Sequence, residues 1–517
     1  RLRGSFSCIL YNRSEHTLLL ARDHFGIEPL YYCLENGLLF FSSTINGLIN
    51  LRMISPELHH PALARILLFN YNVGNSTIVS GIQRLPAAHL LLITEDGIPQ
   101  CKRYWKLQFA PQEQPESTIA EELRNQLRAA VADSLHDTKS TGIFLSGGMD
   151  SSTILALSAE QQEIALNTFS YRCRAASFDE SHYARIMADF ARTSHHECDY
   201  SSDEVLLMPE VIAAMNEPFC DVGINIATYL LGRKAAAAGE HLILTGDGGD
   251  ELFAGHPVYE ADKIARYADA IPRPLLIPLL ALFRRLPDSD QKKNLVVKLK
   301  RFAESLCFPK ELLSHRWRVY YDAADLTNIL TNDLSAELNY SDLLENILSI
   351  NRENSGPDML SNSLYSDYQT VVDFYLRRND LIRRFGIEVR YPMFDPRLVE
   401  FCARMPSTMK IRGWFDTKYI FKKAMEPVLP HEIIYRKDKL GHSIPLKNWI
   451  RDDRRVREMI LDHVSGESIA RRNLFNPQTV TTLVNEHMRK QRNNSHRLWT
   501  LAVIEMWLRH HMDNRSL

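Results

Sequence analysis

Leu145-Ser-Gly-Gly-Met-Asp-Ser-Ser152 follows the short apolar run Gly142-Ile-Phe144, and together they predict a buried strand, a tight turn and a helix start. The glycine pair allows the backbone to approach a ligand closely. The helix start offers unpaired N–H groups and the serines add hydroxyls, so the stretch predicts an anion cradle. Asp150 has the wrong charge for a bare phosphate, but it suits the Mg²⁺ that accompanies a nucleoside triphosphate. Taken alone, the stretch is also compatible with an ordinary Gly-Gly turn.

A second stretch repeats this arrangement, because Thr245-Gly-Asp-Gly-Gly-Asp-Glu-Leu-Phe253 follows the apolar run His241-Leu-Ile-Leu244. In an open α/β sheet both loops lie at the carboxyl edge of the strands, where ligands bind. We therefore expect Asp150 and Asp250 to lie close together and to share one or two Mg²⁺ ions over a pyrophosphate. The chain has no Walker-type Gly-x4-Gly-Lys pattern.

Strand-like and helix-like segments alternate around these loops. The strand-like runs are 142–145, 165–171, 195–198 and 241–245, and the helix-like runs are about 119–135, 151–162, 182–193 and 228–238. This alternation predicts a doubly wound parallel sheet, and the pattern beyond residue 260 is mostly helical. Residues 5–104 carry short β-like runs instead, including a hairpin over 90–105, and the polar stretch 111–117 predicts a linker. The predicted fold class is α/β, with an antiparallel β-rich N-terminal domain before the parallel-sheet domain.

The composition excludes several classes of protein. Hydrophobic residues make up 45% and charged residues 24%, which excludes wholesale disorder. Because 61 Lys and Arg balance 63 Asp and Glu, there is no overall charge signal for nucleic acid or an anionic membrane. The longest uncharged apolar stretch, Pro274–Phe283, contains two prolines and is too short to span a bilayer.

Eight cysteines are spread along the chain without a CxxC pair or a zinc-type spacing. This usage predicts a reducing, cytoplasmic location. The chain opens Arg1-Leu-Arg-Gly-Ser-Phe6, with neither Met nor a signal-peptide pattern, and passes directly into strand-like sequence. We expect from this that the printed chain begins part-way through a domain.

These motifs match a family. Ser-Gly-Gly-x-Asp-Ser is the pyrophosphate loop of the N-type ATP pyrophosphatases, and with the second loop the chain resembles the class B, glutaminase-fused glutamine-dependent asparagine synthetases. The resemblance covers nearly the whole chain. Its other motifs are Arg22-Asp-His-Phe-Gly-Ile-Glu-Pro-Leu-Tyr-Tyr32, Phe178-Asp-Glu180, His195-His-Glu197, Gly386-Ile-Glu-Val-Arg-Tyr-Pro-Met-Phe-Asp395 and Arg436-Lys-Asp-Lys-Leu-Gly-His-Ser-Ile-Pro445. It implies that residues 1–110 are the C-terminal part of an Ntn-type glutaminase domain and that 117–517 form the ATP pyrophosphatase domain with its helical C-terminal part.

The resemblance also implies a reaction and its cofactors, ATP and Mg²⁺. ATP would adenylate a carboxylate, with aspartate as the leading substrate, and ammonia from glutamine would then give asparagine, AMP and pyrophosphate. Asp247 would assist adenylation or remove the amine proton, and Lys439 would stabilise charge near the α-phosphate; the alternative for Lys439 is a solvated side chain in a basic loop. The implied ATP and pyrophosphate contacts are Leu145, Ser146, Gly147, Gly148, Asp150, Ser151, Ser152, Tyr171, Thr245 and Gly246. The implied metal ligands are Asp150 and Asp250.

Two further expectations concern residues outside the loops. Glu388 and Arg390 form either a buried ion pair that supports the site or direct contacts to substrate. His195 and His196 are expected to be structural, because neighbouring strand residues point to opposite faces.

A glutaminase of this type needs an N-terminal cysteine, and Cys8 lies inside a predicted strand and cannot replace it. Thr44 and Asn46 stand where the family commonly has Glu and Lys.

Two other functions remain open at this point. One is an amide- or lactam-forming ligase of a natural-product or glycan pathway, similar to β-lactam synthetases or lasso-peptide cyclases, with a non-functional glutaminase domain. The other is a scaffold that binds nucleotide without turnover. For the asparagine synthetase-like enzyme and for the alternative ligase, we expect small-molecule substrates and no nucleic-acid or membrane partner. A homodimer is one assembly to test.

Overall fold

The computed structural model describes residues 2–51, 56–95, 97–136, 140–162, 165–175, 178–284, 295–354, 356–438 and 444–513. Its strands are β1 (Ser7–Asn12), β2 (Thr17–Arg22), β3 (Tyr31–Glu35), β4 (Leu38–Ser42), β5 (Gln83–Arg84), β6 (His89–Ile93), β7 (Gln100–Arg103), β8 (Gly142–Phe144), β9 (Asn167–Cys173), β10 (Ser194–Tyr200), β11 (Leu242–Leu244), β12 (Glu388–Arg390), β13 (Ile411–Arg412) and β14 (Asp416–Thr417).

The helices before the long helical region are α1 (Ile45–Ile49), α2 (His60–Phe69), α3 (Glu116–Leu135), α4 (Met149–Ala159), α5 (Ser181–Phe190), α6 (Ser202–Val205), α7 (Met208–Ala213), α8 (Ile224–Ala237) and α9 (Gly249–Phe253). They are followed by α10 (Pro257–Ala268), α11 (Arg273–Arg284), α12 (Leu295–Ser305), α13 (Ala323–Ile329), α14 (Asn332–Glu337), α15 (Tyr340–Glu353), α16 (Met359–Leu376), α17 (Asn379–Arg383) and α18 (Pro396–Ala403). The last are α19 (Ser407–Lys410), α20 (Tyr419–Met425), α21 (His431–Ile434), α22 (Leu446–Asp452), α23 (Arg454–His463), α24 (Gly466–Arg472), α25 (Pro477–Met488) and α26 (Ser495–Leu508). Two 3₁₀ helices, Lys310–Arg318 and Pro392–Phe394, complete the helical region.

The apolar run before the first glycine loop forms the central strand of a parallel sheet in the order β10-β9-β8-β11-β12. The predicted α/β fold is confirmed, and helices follow the strands as the alternation indicated. Sequence patterning missed β12, which is three residues long and pairs with β11 from far along the chain. A three-residue strand has too few positions to show a period.

Helix α3 illustrates why the segments fold as they do. The linker ends at Pro115 and the helix begins at Glu116. Ile119, Leu123 and Leu127 recur at a spacing of four and are buried, so one face of the helix packs on the core.

The N-terminal region consists of two antiparallel sheets, β1-β2-β6-β7 and β4-β3-β5. The predicted hairpin is present as β6 and β7, with Leu92 opposite Gln100. This region shares a core with the rest of the chain, because Phe25 stacks on Phe394 at 5.5 Å between ring centres. Glu28 pairs with Arg383 at 2.6 Å across the same boundary.

Four buried or half-buried charges also join the two regions: Arg84, Glu217, Asp373 and Arg377, here called the interdomain cluster. Arg84 donates to Asp373 at 2.7 Å and also pairs with Glu217. Arg377 lies 3.2 Å from Glu217 and 3.0 Å from Asp373. Two cations therefore meet two carboxylates.

Over the described part of the chain, every helix is too short or too polar to cross a bilayer. All eight cysteines are free thiols.

Candidate active site

The first glycine loop is closed by its own serines. The Ser146 N–H donates to Ser151 Oγ at 3.2 Å, and the two hydroxyls lie 3.1 Å apart. Gly147 has φ +68°, and a Cβ there would lie 2.5 Å from the backbone of Tyr183 and Ala184. The position therefore requires glycine. The result is a tight turn from β8 into α4, as the sequence predicted.

The second loop lies directly against the first. A Cβ on Gly246 would be 2.5 Å from the backbone nitrogen of Ser151, and one on Gly249 would be 2.2 Å from Asp150 Oδ1. The glycines thus allow the two loops to meet backbone to backbone. The predicted proximity of the loops at the carboxyl edge is what the structure has.

Asp150 and Asp250 meet at a third residue, Lys418, which no motif or spacing in the sequence singled out. The Lys418 ammonium lies 2.5 and 2.6 Å from the two Asp150 oxygens and 2.5 Å from Asp250 Oδ1. Burial alone would lower the pKa of Lys418, but the two carboxylates raise it, so the lysine is charged. We call these three residues the Asp–Lys–Asp bridge.

His256 borders the bridge on the Asp250 side. Its Nδ1 lies 3.8 Å from Asp250 Oδ2, while its Nε2 lies 2.9 Å from Glu251 and 3.0 Å from the Tyr375 hydroxyl. Burial alone would lower the pKa of His256, but the Asp250 and Glu251 carboxylates raise it. The histidine therefore fixes Glu251, which is 1% exposed, beside the loop.

Asp247 stands in the second loop with both oxygens engaged. Thr245 Oγ1 donates to Oδ2 at 3.0 Å, and Arg378 donates to Oδ1 at 3.2 Å. Arg378 also lies 3.8 Å from Asp221 and stacks over the Tyr375 ring. Asp247 is a third exposed, so a ligand at this edge of the sheet can reach a carboxylate whose direction is held by two donors.

The remaining predicted nucleotide contacts lie at the same edge. The Leu145 N–H donates to Phe169 O at 2.8 Å, which places the start of the loop next to β9. Tyr171 is two residues further along β9, and its ring meets Tyr200 edge-on at 5.9 Å. Ser152 is buried in the first turn of α4, and its hydroxyl has no hydrogen-bond partner. The structure thus brings together the predicted residues from Leu145 to Asp250.

Lys439 lies outside the described residues. Its described neighbours are anchored at the first loop, because Arg436 donates to Gly147 O at 3.2 Å and stacks over the Tyr183 ring. The Tyr183 hydroxyl donates to Asp438 at 2.8 Å.

Two expectations about residues outside the loops have clear outcomes. Both ring nitrogens of His195 lie within hydrogen-bond distance of β9 hydroxyls, and His196 stacks on Phe169 at 5.0 Å, so both histidines have structural contacts. Arg390 does pair with Glu388 at 2.6 Å, but the expected burial is wrong: Glu388 is 51% exposed. The pair lies at the sheet edge, where Arg390 also donates to the carbonyls of Ser134, in the last turn of α3, and His136, just after the helix.

The comparisons with known proteins agree with this geometry. Residues 122–509 match the asparagine synthase family, and residues 1–105 match a glutamine amidotransferase domain. The chain is 25% identical to asparagine synthetase (glutamine-hydrolyzing) 1 of Bacillus subtilis, over 100% of this chain and 79% of that protein. It is 26% identical to a putative asparagine synthetase (glutamine-hydrolyzing) of Mycobacterium tuberculosis H37Rv, over 98% and 76%. It is also 26% identical to amidase chyE of Penicillium rubens, over 87% and 70%.

The first match alone covers most of the chain, and the two glycine loops fall inside it. The chain therefore belongs to the asparagine synthase family and is an ATP-dependent, amide-forming C–N ligase.

Proposed function

We propose that this ligase adenylates the side-chain carboxylate of aspartate and that ammonia, drawn from glutamine, converts the adenylate to asparagine. The observation that supports this most is the contact between the two glycine loops. At this contact the N–H groups and hydroxyls of the first loop lie on the same sheet edge as the carboxylates of Asp150, Asp247 and Asp250, which supports binding of a polyphosphate with its metal ion there.

The first loop and the start of α4 bind the polyphosphate in this proposal. The backbone N–H groups after Gly147 and the hydroxyls of Ser146, Ser151 and Ser152 are the donors. In this proposal Leu145 and Tyr171 contact the adenine, and Thr245 and Gly246 contact the nucleotide from the second loop.

The donor set at the bridge fits Mg²⁺. Two carboxylates converge there, and among the described residues no group of three or more His, Cys, Asp or Glu side chains forms a complete metal cage. Mg²⁺ commonly takes one or two carboxylates and fills its other positions with water and phosphate oxygens. Asp150 and Asp250 would hold the ion, which when bound neutralises charge on the polyphosphate.

Asp247 is the base in the second half of the reaction. In the first half, an oxygen of the substrate's side-chain carboxylate forms a bond to the α-phosphorus of ATP while the bond from that phosphorus to pyrophosphate breaks. Ammonia then bonds to the acyl carbon, AMP leaves, and the excess proton passes to Asp247 Oδ1 or Oδ2. Because Arg378 and Thr245 fix this carboxylate, it needs no rearrangement to receive the proton. Lys439 is proposed to stabilise the charge that develops at the α-phosphorus.

A second candidate is favoured by one observation in the N-terminal region. Thr44 caps α1 by accepting a hydrogen bond from the Gly47 N–H, and the Asn46 amide lies 3.0 Å from His511 at the other end of the chain. Both side chains therefore have structural roles at positions where the family commonly has Glu and Lys, which favours a glutaminase domain that does not function. The second candidate is accordingly a ligase of a natural-product or glycan pathway that joins an amine of a larger substrate to the adenylate.

Product analysis separates these proposals. With ATP, Mg²⁺, aspartate and ammonium, we expect AMP, pyrophosphate and asparagine, with a rate that rises with pH toward the pKa of ammonium because only neutral ammonia is nucleophilic. ADP and phosphate as stoichiometric products would contradict adenylation. AMP formed without asparagine at any pH would instead favour the second candidate.

A homodimer and a cytoplasmic location complete the proposal. Sedimentation velocity on the purified chain and fractionation of cells test these two points, and neither affects the chemistry above.

A further inference from the structure

Lys418 is held in an unusual backbone position. Its φ of +55° lies in the left-handed region, where the backbone of a non-glycine residue is strained. Its N–H donates to Phe253 O at 3.2 Å, directly after the hairpin β13–β14. This geometry aims the side chain inward, and only 8% of that side chain is exposed.

Gly255, two residues after the second loop, leaves room for this side chain. A Cβ on Gly255 would lie 2.1 Å from Lys418 Cε and 2.1 Å from Asp250 Oδ1, so a larger residue there would collide with both. Because glycine has no side chain, the lysine has the space that it needs to reach the two carboxylates.

The charges that surround the bridge explain what the lysine does there. Arg378 is engaged with Asp247, Lys422 with Asp416 at 2.6 Å, and His256 with Glu251. Within the described ranges, Lys418 is the cationic side chain that contacts both Asp150 and Asp250. One ammonium against two carboxylates still leaves a net negative charge, so the bridge is not a closed ion pair.

We propose that, in the nucleotide-free protein, Lys418 occupies the position from which Asp150 and Asp250 bind a divalent cation, and so excludes the free ion. The inference rests on the proposed function, because it takes these two carboxylates as the metal ligands. The metal then binds together with the nucleotide, and the Lys418 ammonium moves from the carboxylates to the polyphosphate oxygens. Lys418 is thus both a temporary counter-ion for the two aspartates and a contact to the polyphosphate.

Mn²⁺ binding without nucleotide tests the first half of the inference. Loss of the free-Mn²⁺ electron paramagnetic resonance signal is measured for wild type, Lys418→Met, and Lys422→Met as a matched control one helical turn away. Removing a fixed cation beside two carboxylates should tighten Mn²⁺ binding by at least about tenfold. Lys422→Met should bind as wild type does, and adding Asp150→Asn to Lys418→Met should abolish the gain.

The wild-type titration is decisive even if Lys418→Met fails to fold, which circular dichroism would show. Wild-type protein that binds Mn²⁺ tightly without nucleotide overturns the inference, and so does a folded Lys418→Met variant with unchanged Mn²⁺ affinity. That second result would make Lys418 a fixed structural bridge.

The second half is tested with α,β-methylene-ATP, which cannot be cleaved to AMP. Wild type should bind Mn²⁺ much more tightly when this analogue is present than when it is absent. In Lys418→Met the ratio of the two Mn²⁺ affinities should be at least about tenfold smaller, because the free site is no longer blocked and one phosphate contact is lost. An unchanged ratio contradicts the transfer of the lysine to the polyphosphate. None of these measurements needs turnover, so their failure is distinct from failure to form AMP.

Discussion

The Asp–Lys–Asp bridge and the interdomain cluster use the same chemical groups in opposite ways. The bridge sets two carboxylates against one cation at the open edge of the sheet. The interdomain cluster sets two against two, with Arg84 and Glu217 almost completely buried. An unbalanced cluster beside a cleft can accept a ligand of opposite charge, whereas a balanced and buried one holds two regions in place.

Removing one acid of the bridge should have the largest effect on activity. Asp150→Asn or Asp250→Asn keeps the shape but loses a charge that we propose binds the metal, so AMP formation should fall by about 100-fold or more. The free energy of unfolding in urea should change far less than activity, because neutralising one of the two acids leaves Lys418 in a balanced pair with the other. Asp416→Asn, which breaks the Lys422 pair, is the control and should keep full activity. Retention of a tenth of the activity would contradict the metal assignment.

Removing one cation of the interdomain cluster should do the reverse. Arg84→Met leaves Glu217 and Asp373 short of a buried partner and should lower the free energy of unfolding by about 3 to 5 kcal/mol. Arg128→Met breaks the exposed pair with Glu160 and should cost less than about 1 kcal/mol. If Arg84→Met and Arg128→Met lower the free energy of unfolding equally, the interdomain cluster does not hold the two regions together as its burial indicates.

Arg378 is adjacent to Arg377 in the chain, but it pairs with Asp247 of the second glycine loop and not with the interdomain cluster. Arg378→Met should lower kcat by about tenfold or more while the KM for ATP stays within about twofold, since the arginine directs Asp247 and not the nucleotide. Arg378→Lys should restore part of kcat. A rise in the KM for ATP of about tenfold, or no recovery of kcat in Arg378→Lys, would indicate a general structural defect.

Acid should weaken the interdomain cluster. Burial alone would raise the pKa of Asp373, but Arg84, Arg377 and Arg22 lower it strongly. Because the folded pKa lies below the unfolded one, Asp373 adds stability above about pH 4, and this is lost as the pH falls further. The free energy of unfolding of Asp373→Asn should therefore fall less than that of wild type between pH 5 and 3, by at least about 1 kcal/mol. An equal fall in the free energy of unfolding of wild type and Asp373→Asn over this pH range would contradict the prediction.

The smallest effect is expected in the N-terminal region. Thr44→Ala removes the cap of α1 and should cost about 1 kcal/mol of stability. Ammonia-dependent activity should not change, and the exposed neighbour Ser43 provides a control as Ser43→Ala. A loss of ammonia-dependent activity in Thr44→Ala would show that this residue has more than a capping role.

The sequence predicted those parts of the molecule that are encoded locally. Each glycine loop lies between an apolar run and a helix start, so its residues and its place at the sheet edge could be inferred from neighbours. Helix α3 and the β6–β7 hairpin were predicted for the same reason, since their periods are visible over a few residues.

The parts that were missed depend on contacts between distant segments. Lys418 lies 268 positions from Asp150, and Arg378 lies 131 positions from Asp247. The interdomain cluster joins Arg84 to Asp373 across 289 positions. No local period or spacing marks a lysine after a two-residue strand or one arginine of a pair, so only the folded chain shows which charges meet.

Transfer of an oxygen atom tests the central claim most directly. The protein is incubated with ATP, Mg²⁺, ammonium and aspartate labelled with ¹⁸O in its side-chain carboxylate, and the nucleotide product is analysed by mass spectrometry. If the edge formed by the two glycine loops adenylates that carboxylate, each turnover leaves one ¹⁸O in AMP and none in pyrophosphate. ADP as the product, with ¹⁸O in inorganic phosphate, would show attack at the γ-phosphorus and contradict the account.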